Sequence, residues 1–310
     1  MDKTTGRTAL VLGAGGMSGA GWEIGILWGL AEAGADLTTA DLIVGSSAGA
    51  VVGAQVASGK YPLDELYESQ LTVPTGELPG RLGAGAIVTY TLAVLRSRTP
   101  EEYGRRLGRL ASATGTVPPA ARREVIAGRI GRDLDWPDRR LLVTAVDAES
   151  GELAAFDGRG SGHGHGPGSG RDSGPGSGSG SAPFADVPLL DAVTASCAIP
   201  GVWPVVELAG RRWIDGGVHS TANAQLAAGY ERVVIIAPSA AGNKAIVSPA
   251  RQGAELAAAG ARVEVVTPDA ESKRALGRGA IDPARRVPAA RAGRAQAAAH
   301  AKAVAAVWAG

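Results

Sequence analysis

One five-residue segment restricts the possible folds of this chain more than any other. Residues 45–49 read Gly-Ser-Ser-Ala-Gly, and they lie between a short apolar run and a second apolar stretch over residues 50–57. This pattern predicts a strand that turns sharply into a buried helix, because Gly45 and Gly49 allow a tight turn without a Cβ clash. The turn would lift the Ser47 hydroxyl clear of the backbone at the positive N-terminus of the helix, where a serine can attack a carbonyl group.

A glycine-rich turn over residues 13–19 follows the first strand-like run of the chain. Consecutive backbone N–H groups in such a turn, next to a helix N-terminus, can bind an anion. The anion could be a dinucleotide phosphate or the oxyanion of an acyl-transfer intermediate. Gly13, Gly15 and Gly19 fit a loose dinucleotide-binding spacing, but Ser18 takes the place of the last glycine in the stricter Gly-x-Gly-x-x-Gly motif. The residues themselves allow both uses.

A serine nucleophile needs a base, and the chain offers few candidates. It has four histidines, of which two lie in a glycine-rich segment and one lies near the C-terminus, leaving His219. Shortly before it, Asp215 ends a strand-like run and is followed by Gly216 and Gly217. Active-site residues of open α/β sheets collect at such strand ends. Both Asp215 and His219 are therefore candidate bases, although an aspartate before glycine also commonly binds its own turn backbone.

Strand-like and helical segments alternate along much of the chain. Further buried strands are predicted at residues 141–146, 233–237 and 263–266, and residues 153–156 are placed to form a hairpin with the first of these. This alternation predicts an α/β fold, a three-layer α/β/α sandwich with a mainly parallel central sheet. We expect a single domain over residues 1–310.

Two segments of that domain have a different composition. Residues 158–182 contain eleven glycines, with serine and proline at most other positions. Such a segment buries too little apolar surface to order itself, so we predict a flexible surface insertion. Its two histidines, His163 and His165, are expected to be solvated rather than to bind a metal. The tail over residues 283–310 is rich in alanine and arginine, which predicts a closing helix with a basic face, or alternatively a membrane-surface helix.

The bulk composition excludes several classes of protein. The formal net charge of +1 provides no overall basic field for nucleic acid. The single cysteine, Cys197, excludes an intrachain disulfide and is expected to be a small buried core residue. We find no apolar run long enough to cross a bilayer and no signal peptide. The expectation is a cytoplasmic protein whose contact with membranes, if any, is peripheral.

Together, the glycine turn, the Gly-x-Ser-x-Gly segment and the Asp-Gly-Gly run resemble the patatin-like phospholipase family, whose members carry these motifs in this order. Residues 191–201 are also similar to the family's Ala-Ser-x-Ala-Ile-Pro segment, which lies just before the Asp-Gly-Gly run. The resemblance covers roughly residues 8–60 and 140–237. It implies a patatin-like fold and hydrolysis of lipid acyl esters, of the phospholipase A or lipid acyl hydrolase type.

The resemblance also implies roles for particular residues. The family uses a Ser–Asp dyad without histidine, which makes Ser47 the nucleophile and Asp215 its base, with an acyl-serine intermediate. The oxyanion hole would consist of N–H groups of Gly15, Gly16 and Ala48. No metal or organic cofactor is implied. The substrate would be a lipid or another acyl ester, met at a membrane or micelle surface through the helical middle of the chain.

The chain departs from the family's Gly-Gly-Gly-x-Arg-Gly pattern at Ala14 and Ser18. A guanidinium in place of Ser18 could bind a lipid phosphate, so its absence favours a neutral ester or glycerolipid as substrate. Two other functions are alternatives. One is an NAD(P)-dependent Rossmann-type reductase, for which the sequence lacks a convincing ribose-binding acid. The other is a catalytically silent relative that only binds lipid.

Overall fold

The computed structural model describes residues 6–72, 76–78, 80–113, 117–159, 184, 186–277 and 279–309. The predicted insertion over residues 158–182 therefore lies almost entirely outside the described residues, and so do His163 and His165.

The described residues form a sheet of eight strands in which the parallel strands are central. The strands are β1 (Thr8–Leu12), β2 (Leu42–Ser46), β3 (Arg140–Asp147), β4 (Leu153–Phe156), β5 (Val206–Leu208), β6 (Arg211–Asp215), β7 (Arg232–Ile236) and β8 (Arg262–Val266). Their order is β5-β6-β3-β2-β1-β7-β8, with β4 also paired to β3. Strands β3, β2, β1, β7 and β8 are parallel to one another, whereas β4 and β6 run antiparallel to β3.

Ten α-helices are present in the described part of the chain. They are α1 (Gly16–Glu32), α2 (Ala48–Ser58), α3 (Leu63–Gln70), α4 (Ala84–Arg96), α5 (Pro100–Ala113), α6 (Pro119–Ile130), α7 (Leu189–Ser196), α8 (Pro249–Ala258), α9 (Ala270–Leu276) and α10 (Arg286–Trp308). None of them is both long enough and apolar enough to span a bilayer.

Alternate strand residues separate into two apolar cores, one on each face of the sheet. Leu10 and Leu12 of β1 pack in one core with residues of α1, α2, α7 and α10. Ala9 and Val11 of the same strand pack in the other core with residues of α5 and α8. The sheet thus lies between two helical layers, and the predicted three-layer α/β/α sandwich with a mainly parallel sheet is confirmed.

The alanine-rich C-terminal sequence forms α10, which packs closely along α1. A Cβ on Gly25 of α1 would lie 2.2 Å from the carbonyl oxygen of Ala290, and one on Gly293 would lie 2.3 Å from that of Trp22. Larger residues at either glycine would push the two helices apart. This packing fixes α1, whose N-terminus carries the glycine turn, against the rest of the fold.

Candidate active site

The sheet brings Ser47 and Asp215 together through one strand arrangement. Strands β2 and β6 occupy the same edge of β3, end to end, because β4 covers the opposite edge. Ser46 at the end of β2 lies opposite Thr144, and Asp215 at the end of β6 lies opposite the next residue, Ala145. The two strands therefore run towards each other, and their carboxyl ends meet beside Ser47.

The turn at Ser47 has the strained backbone of a nucleophile elbow. Ser47 has φ of 53° and ψ of −109°, a region that residues with a side chain rarely occupy. A Cβ on Gly45 would lie 2.5 Å from the carbonyl oxygen of Gly49, so the first glycine of the motif is required by packing. The chain enters α2 at Ala48, which leaves Ser47 at the helix N-terminus, as the motif predicts.

The two side chains are joined by a short hydrogen bond. Ser47 Oγ donates to Asp215 Oδ2 at 2.6 Å, while Asp215 Oδ1 accepts a hydrogen bond from the Gly217 N–H at 2.7 Å. Both residues are buried. Close packing holds this turn in place, since a Cβ on Gly216 would lie 2.2 Å from Thr144 Oγ1.

Burial is the main influence on the Asp215 carboxyl group. It raises the pKa of Asp215 from the ordinary 3.8 to about 6, against the opposing effect of hydrogen bonds from Ser47 and Gly217. A carboxylate with a pKa near 6 is ionised at neutral pH and is a stronger proton acceptor than an exposed aspartate. The site can therefore accept a proton from the serine hydroxyl.

The glycine turn lies directly beside this elbow. The carbonyl oxygen of Gly13 accepts a hydrogen bond from the Gly49 N–H at 3.0 Å. Cβ atoms on Gly15 and Gly19 would lie 2.5 Å and 3.1 Å from the ring of Pro238, so both glycines allow close packing on that proline. The two motifs that the sequence separates by about thirty residues are thus in direct contact.

The three N–H groups predicted to bind an oxyanion stand at the start of two helices. Gly15 is the N-cap of α1, Gly16 is its first residue, and Ala48 is the first residue of α2. The first N–H groups of a helix have no intrahelical acceptor and carry partial positive charge. Gly16 and Ala48 line the same cavity as Ser47, whereas Gly15 packs against Pro238.

A buried hydrogen-bond network that the sequence did not predict supports the elbow. The Ser47 N–H donates to Ser196 Oγ at 2.9 Å, and Cys197 Sγ donates to the Ser47 carbonyl oxygen at 3.3 Å. Asn223 Nδ2 donates to Ser46 Oγ at 2.9 Å and to the Gly216 carbonyl oxygen at 3.0 Å. Cys197 is buried and free, as expected. In the sequence, a role for Ser196 and Cys197 is indicated only by their position in the Ala-Ser-x-Ala-Ile-Pro segment.

His219, the other candidate base, has different partners. Its Nδ1 lies 3.1 Å from Asn223 Oδ1, and its Nε2 lies 3.9 Å from Glu101 Oε1. Burial lowers the pKa of His219, which keeps the ring neutral at physiological pH. The serine hydroxyl is already hydrogen-bonded to Asp215, so the geometry selects the aspartate as the partner of Ser47.

A cavity of about 660 Å³ lies next to Ser47. This volume is typical of sites that bind a small ligand. Its walls come from the glycine turn, the elbow helix α2, and the helices α3 and α6, which the sequence did not connect to the site. Apolar side chains form much of the lining: Met17, Ile24, Val51, Leu66, Ile199 and Trp203.

Comparisons with known proteins show a family to which this sequence is similar. A family model described as Patatin-like phospholipase matches residues 10–228. Among solved structures, that of the type III effector protein ExoU is similar, with 16% sequence identity and a TM-score of 0.38. That match covers 96% of this chain and 53% of the ExoU chain, so this chain spans about half the length of that structure. A comparison with curated proteins gave no match.

Proposed function

The chain belongs to the patatin-like phospholipase family, and on that premise we propose that it hydrolyses acyl esters of lipids through a Ser47–Asp215 dyad. The family match supports lipid acyl hydrolysis in general. The observation that carries the finer proposal is the 2.6 Å hydrogen bond from Ser47 Oγ to Asp215 Oδ2, beside a cavity with apolar walls. A buried carboxylate held against a strained serine at a helix N-terminus is an arrangement suited to nucleophilic catalysis.

In the first half of the reaction, Asp215 accepts the hydroxyl proton as Ser47 Oγ attacks the ester carbonyl carbon. The carbonyl oxygen becomes a tetrahedral oxyanion. When the intermediate collapses, the bond to the leaving alcohol breaks, and Asp215 gives its proton to the alcohol oxygen. Ser47 then carries the acyl group as an ester.

In the second half, the same carboxylate activates water. Asp215 accepts a proton from the water molecule as its oxygen attacks the acyl carbon. Collapse of this second intermediate breaks the bond to Ser47 Oγ, which recovers the proton from Asp215. The products are a fatty acid and a free enzyme with both residues in their starting state.

The oxyanion would be stabilised by N–H groups at the starts of α1 and α2. Gly16 and Ala48 line the cavity beside Ser47, and Gly15 completes the set that the family motif implies. The positive ends of the two helices add to the same field. Loss of one such donor is expected to cost about 3 kcal/mol of transition-state stabilisation.

Binding of a dinucleotide phosphate by the glycine turn receives less support, because several N–H groups of the turn already donate to backbone carbonyl oxygens. Ala14 N–H donates to the Thr221 carbonyl oxygen at 2.7 Å, and Ser18 N–H donates to that of Ala280 at 3.1 Å. A phosphate-binding loop needs such groups to point at the ligand. We therefore propose no reductase activity.

Contact with a lipid surface would involve α4, in the helical middle of the chain. The exposed large hydrophobic residues of the described chain all lie on or just before this helix: Leu82, Ile87, Val88, Leu92 and Leu95. Val88, Leu92 and Leu95 follow helical spacing and share one face. The helix is tied to the site, because Tyr90 Oη donates to the Pro200 carbonyl oxygen at 3.1 Å, next to Ile199 of the cavity wall.

Hydrolysis of a p-nitrophenyl acyl ester tests the proposal. The Ser47→Ala and Asp215→Ala variants should lose hydrolysis while their circular dichroism spectra stay those of the wild type. Full activity in either folded variant would remove the dyad. A lipid-binding relative without catalysis would instead show no hydrolysis in the wild type.

A further inference from the structure

The cavity beside Ser47 contains an arginine that the proposed mechanism does not use. Arg122, on α6, lines the cavity with only 3% of its surface exposed. Its guanidinium carbon lies 4.1 Å from the ring centroid of Trp203, another lining residue. The Nε and Nη1 atoms are buried and have no hydrogen-bond partner among the described groups. Leaving buried donors of a charged group unsatisfied is costly, so these two donors call for a partner that a bound ligand could supply.

Two other arginines of the cavity wall are already neutralised. Arg129 donates to both carboxylate oxygens of Glu77, at 3.0 Å and 2.6 Å. Arg132 forms an ion pair with Glu124. These pairs account for two of the three glutamates in the lining, and the third, Glu65, is exposed to solvent.

A fourth arginine extends the unpaired positive charge. Arg286, at the start of α10, donates from Nε to Gln70 Oε1 at 2.6 Å and from Nη2 to the Ser69 carbonyl oxygen at 3.1 Å. Both acceptors are neutral, so these bonds orient the guanidinium without cancelling its charge. Arg122 and Arg286 thus leave the wall with positive charge that no carboxylate of the described residues pairs with directly.

Arg122 keeps its charge at neutral pH. Burial, together with the nearby charge of Arg129, lowers the pKa of Arg122 to about 10, which still leaves the group protonated. The positive charge of Arg122 in turn lowers the pKa of Asp215 slightly. Arg122 and Ser47 line the same cavity, so one substrate molecule can contact both.

The position where the family carries an arginine cannot supply this charge. Ser18 is 1% exposed, and its Oγ lies 3.4 Å from the carbonyl oxygen of Ala280, so the segment around Ala280 covers it. On the sequence alone, the absence of an arginine at position 18 favours a neutral substrate. In the folded chain, α6 instead brings the guanidinium of Arg122 to the cavity, from a helix about 100 residues after the glycine turn.

We propose that Arg122, assisted by Arg286, binds the phosphate anion of an acylated phosphate ester whose acyl group reaches Ser47. This inference rests on the proposed hydrolase function and adds the substrate class. A planar guanidinium can donate paired hydrogen bonds to phosphate oxygens, and its stacking on Trp203 holds it in one orientation. The site would prefer a phospholipid to a glycerolipid with the same acyl chains.

Binding without turnover tests this preference. In a Ser47→Ala background, affinities for dihexanoyl phosphatidylglycerol and dihexanoyl glycerol, both below their micelle concentrations, are measured by titration calorimetry. We expect the phospholipid to bind about tenfold more tightly, equivalent to about 1.4 kcal/mol. Adding Arg122→Met should remove that preference. Adding Arg123→Met should preserve it, because Arg123 is the next residue of α6, does not line the cavity, and pairs with Asp191 at 2.6 Å.

An unchanged preference in the folded Arg122→Met protein would overturn the proposal. If that variant does not fold, Arg122→Gln serves in its place, and it should lose the preference as well. Competition by inorganic phosphate separates the sources of the anion. Phosphate that binds only when Arg122 is present, with equal affinity for the two lipids, would assign the site to free phosphate and contradict the headgroup. An inactive wild type would contradict the hydrolase function while leaving these affinities measurable.

Discussion

Gly49 packs directly on the backbone of Leu12, so closely that a Cβ on Gly49 would lie 2.1 Å from the Leu12 carbonyl oxygen. Because Gly49 has no side chain, the turn at Ser47 can pack directly on β1, the strand that precedes the glycine turn. This contact sets the distance between the serine and the start of α1.

The first prediction concerns this contact. Gly49→Ala forces backbone atoms apart in a packed core, and we expect it to lower the free energy of unfolding by about 3 kcal/mol. Urea denaturation measures the loss. Gly85→Ala is the matched control, because a Cβ there meets nothing within 4 Å and the exposed helix position favours alanine. Equal stability of the two variants would contradict the packing account.

The second prediction concerns the pH dependence of hydrolysis. Asp215 must be ionised to accept the serine proton, and burial raises its pKa to about 6. We expect kcat/KM for a soluble p-nitrophenyl ester to rise with pH and to reach half of its plateau near this value. A rate profile from pH 3 to 8 measures it. A midpoint at the ordinary value of 3.8 would show that Asp215 is not a buried base.

The third prediction links activity to stability. Because the folded protein binds the Asp215 proton more tightly than the unfolded chain, this carboxyl group contributes stability below its unfolded pKa that is lost as pH rises through about 6. Asp215→Asn cannot ionise. The variant should be inactive, yet between pH 4 and pH 8 its stability relative to the wild type should increase by about 2 kcal/mol.

Denaturant unfolding at the two pH values measures this difference. The exposed Asp133 offers a matched control, since Asp133→Asn removes a carboxylate outside the packed site. If the difference in unfolding free energy between wild type and Asp215→Asn stayed constant with pH, ionisation of the buried Asp215 would not destabilise the protein.

The fourth prediction concerns α4. Val88 and Leu95 are 58% and 61% exposed, and replacing both with serine removes apolar area that would otherwise enter a lipid surface. We expect hydrolysis of lipid in vesicles to fall about tenfold, while hydrolysis of a soluble ester remains close to the wild-type rate. The Thr91→Ser variant, on the same exposed helix, should leave both rates unchanged. Equal losses on both substrates would argue against an interfacial role.

Much of the site follows from local sequence, because each motif specifies its own turn. The glycines around Ser47 and after Asp215 are needed for close backbone packing, and a glycine-rich turn at a helix start is readable without a structure. The alternation of strands and helices likewise predicts the parallel sheet. These patterns are visible within short segments of the sequence, although the glycines pack against distant residues such as Leu12 and Thr144.

The remaining features depend on contacts between distant segments. The head-to-head meeting of β2 and β6 along β3 is set by strand pairing, which no local pattern encodes. Arg122 lies in a helix whose composition is typical of a solvated surface, yet it is buried against Trp203, 81 positions away. Asn223 and Ser196 likewise acquire roles only when the sheet brings them to the elbow.

The central claim is that Ser47 is a nucleophile activated by Asp215, and labelling with a fluorophosphonate probe tests it most directly. Digestion and peptide mass spectrometry should locate the probe on Ser47 in the wild type, with no label in Ser47→Ala and much slower labelling in Asp215→Asn. A folded wild-type protein that takes up no probe, or that carries it on another residue, would contradict the account.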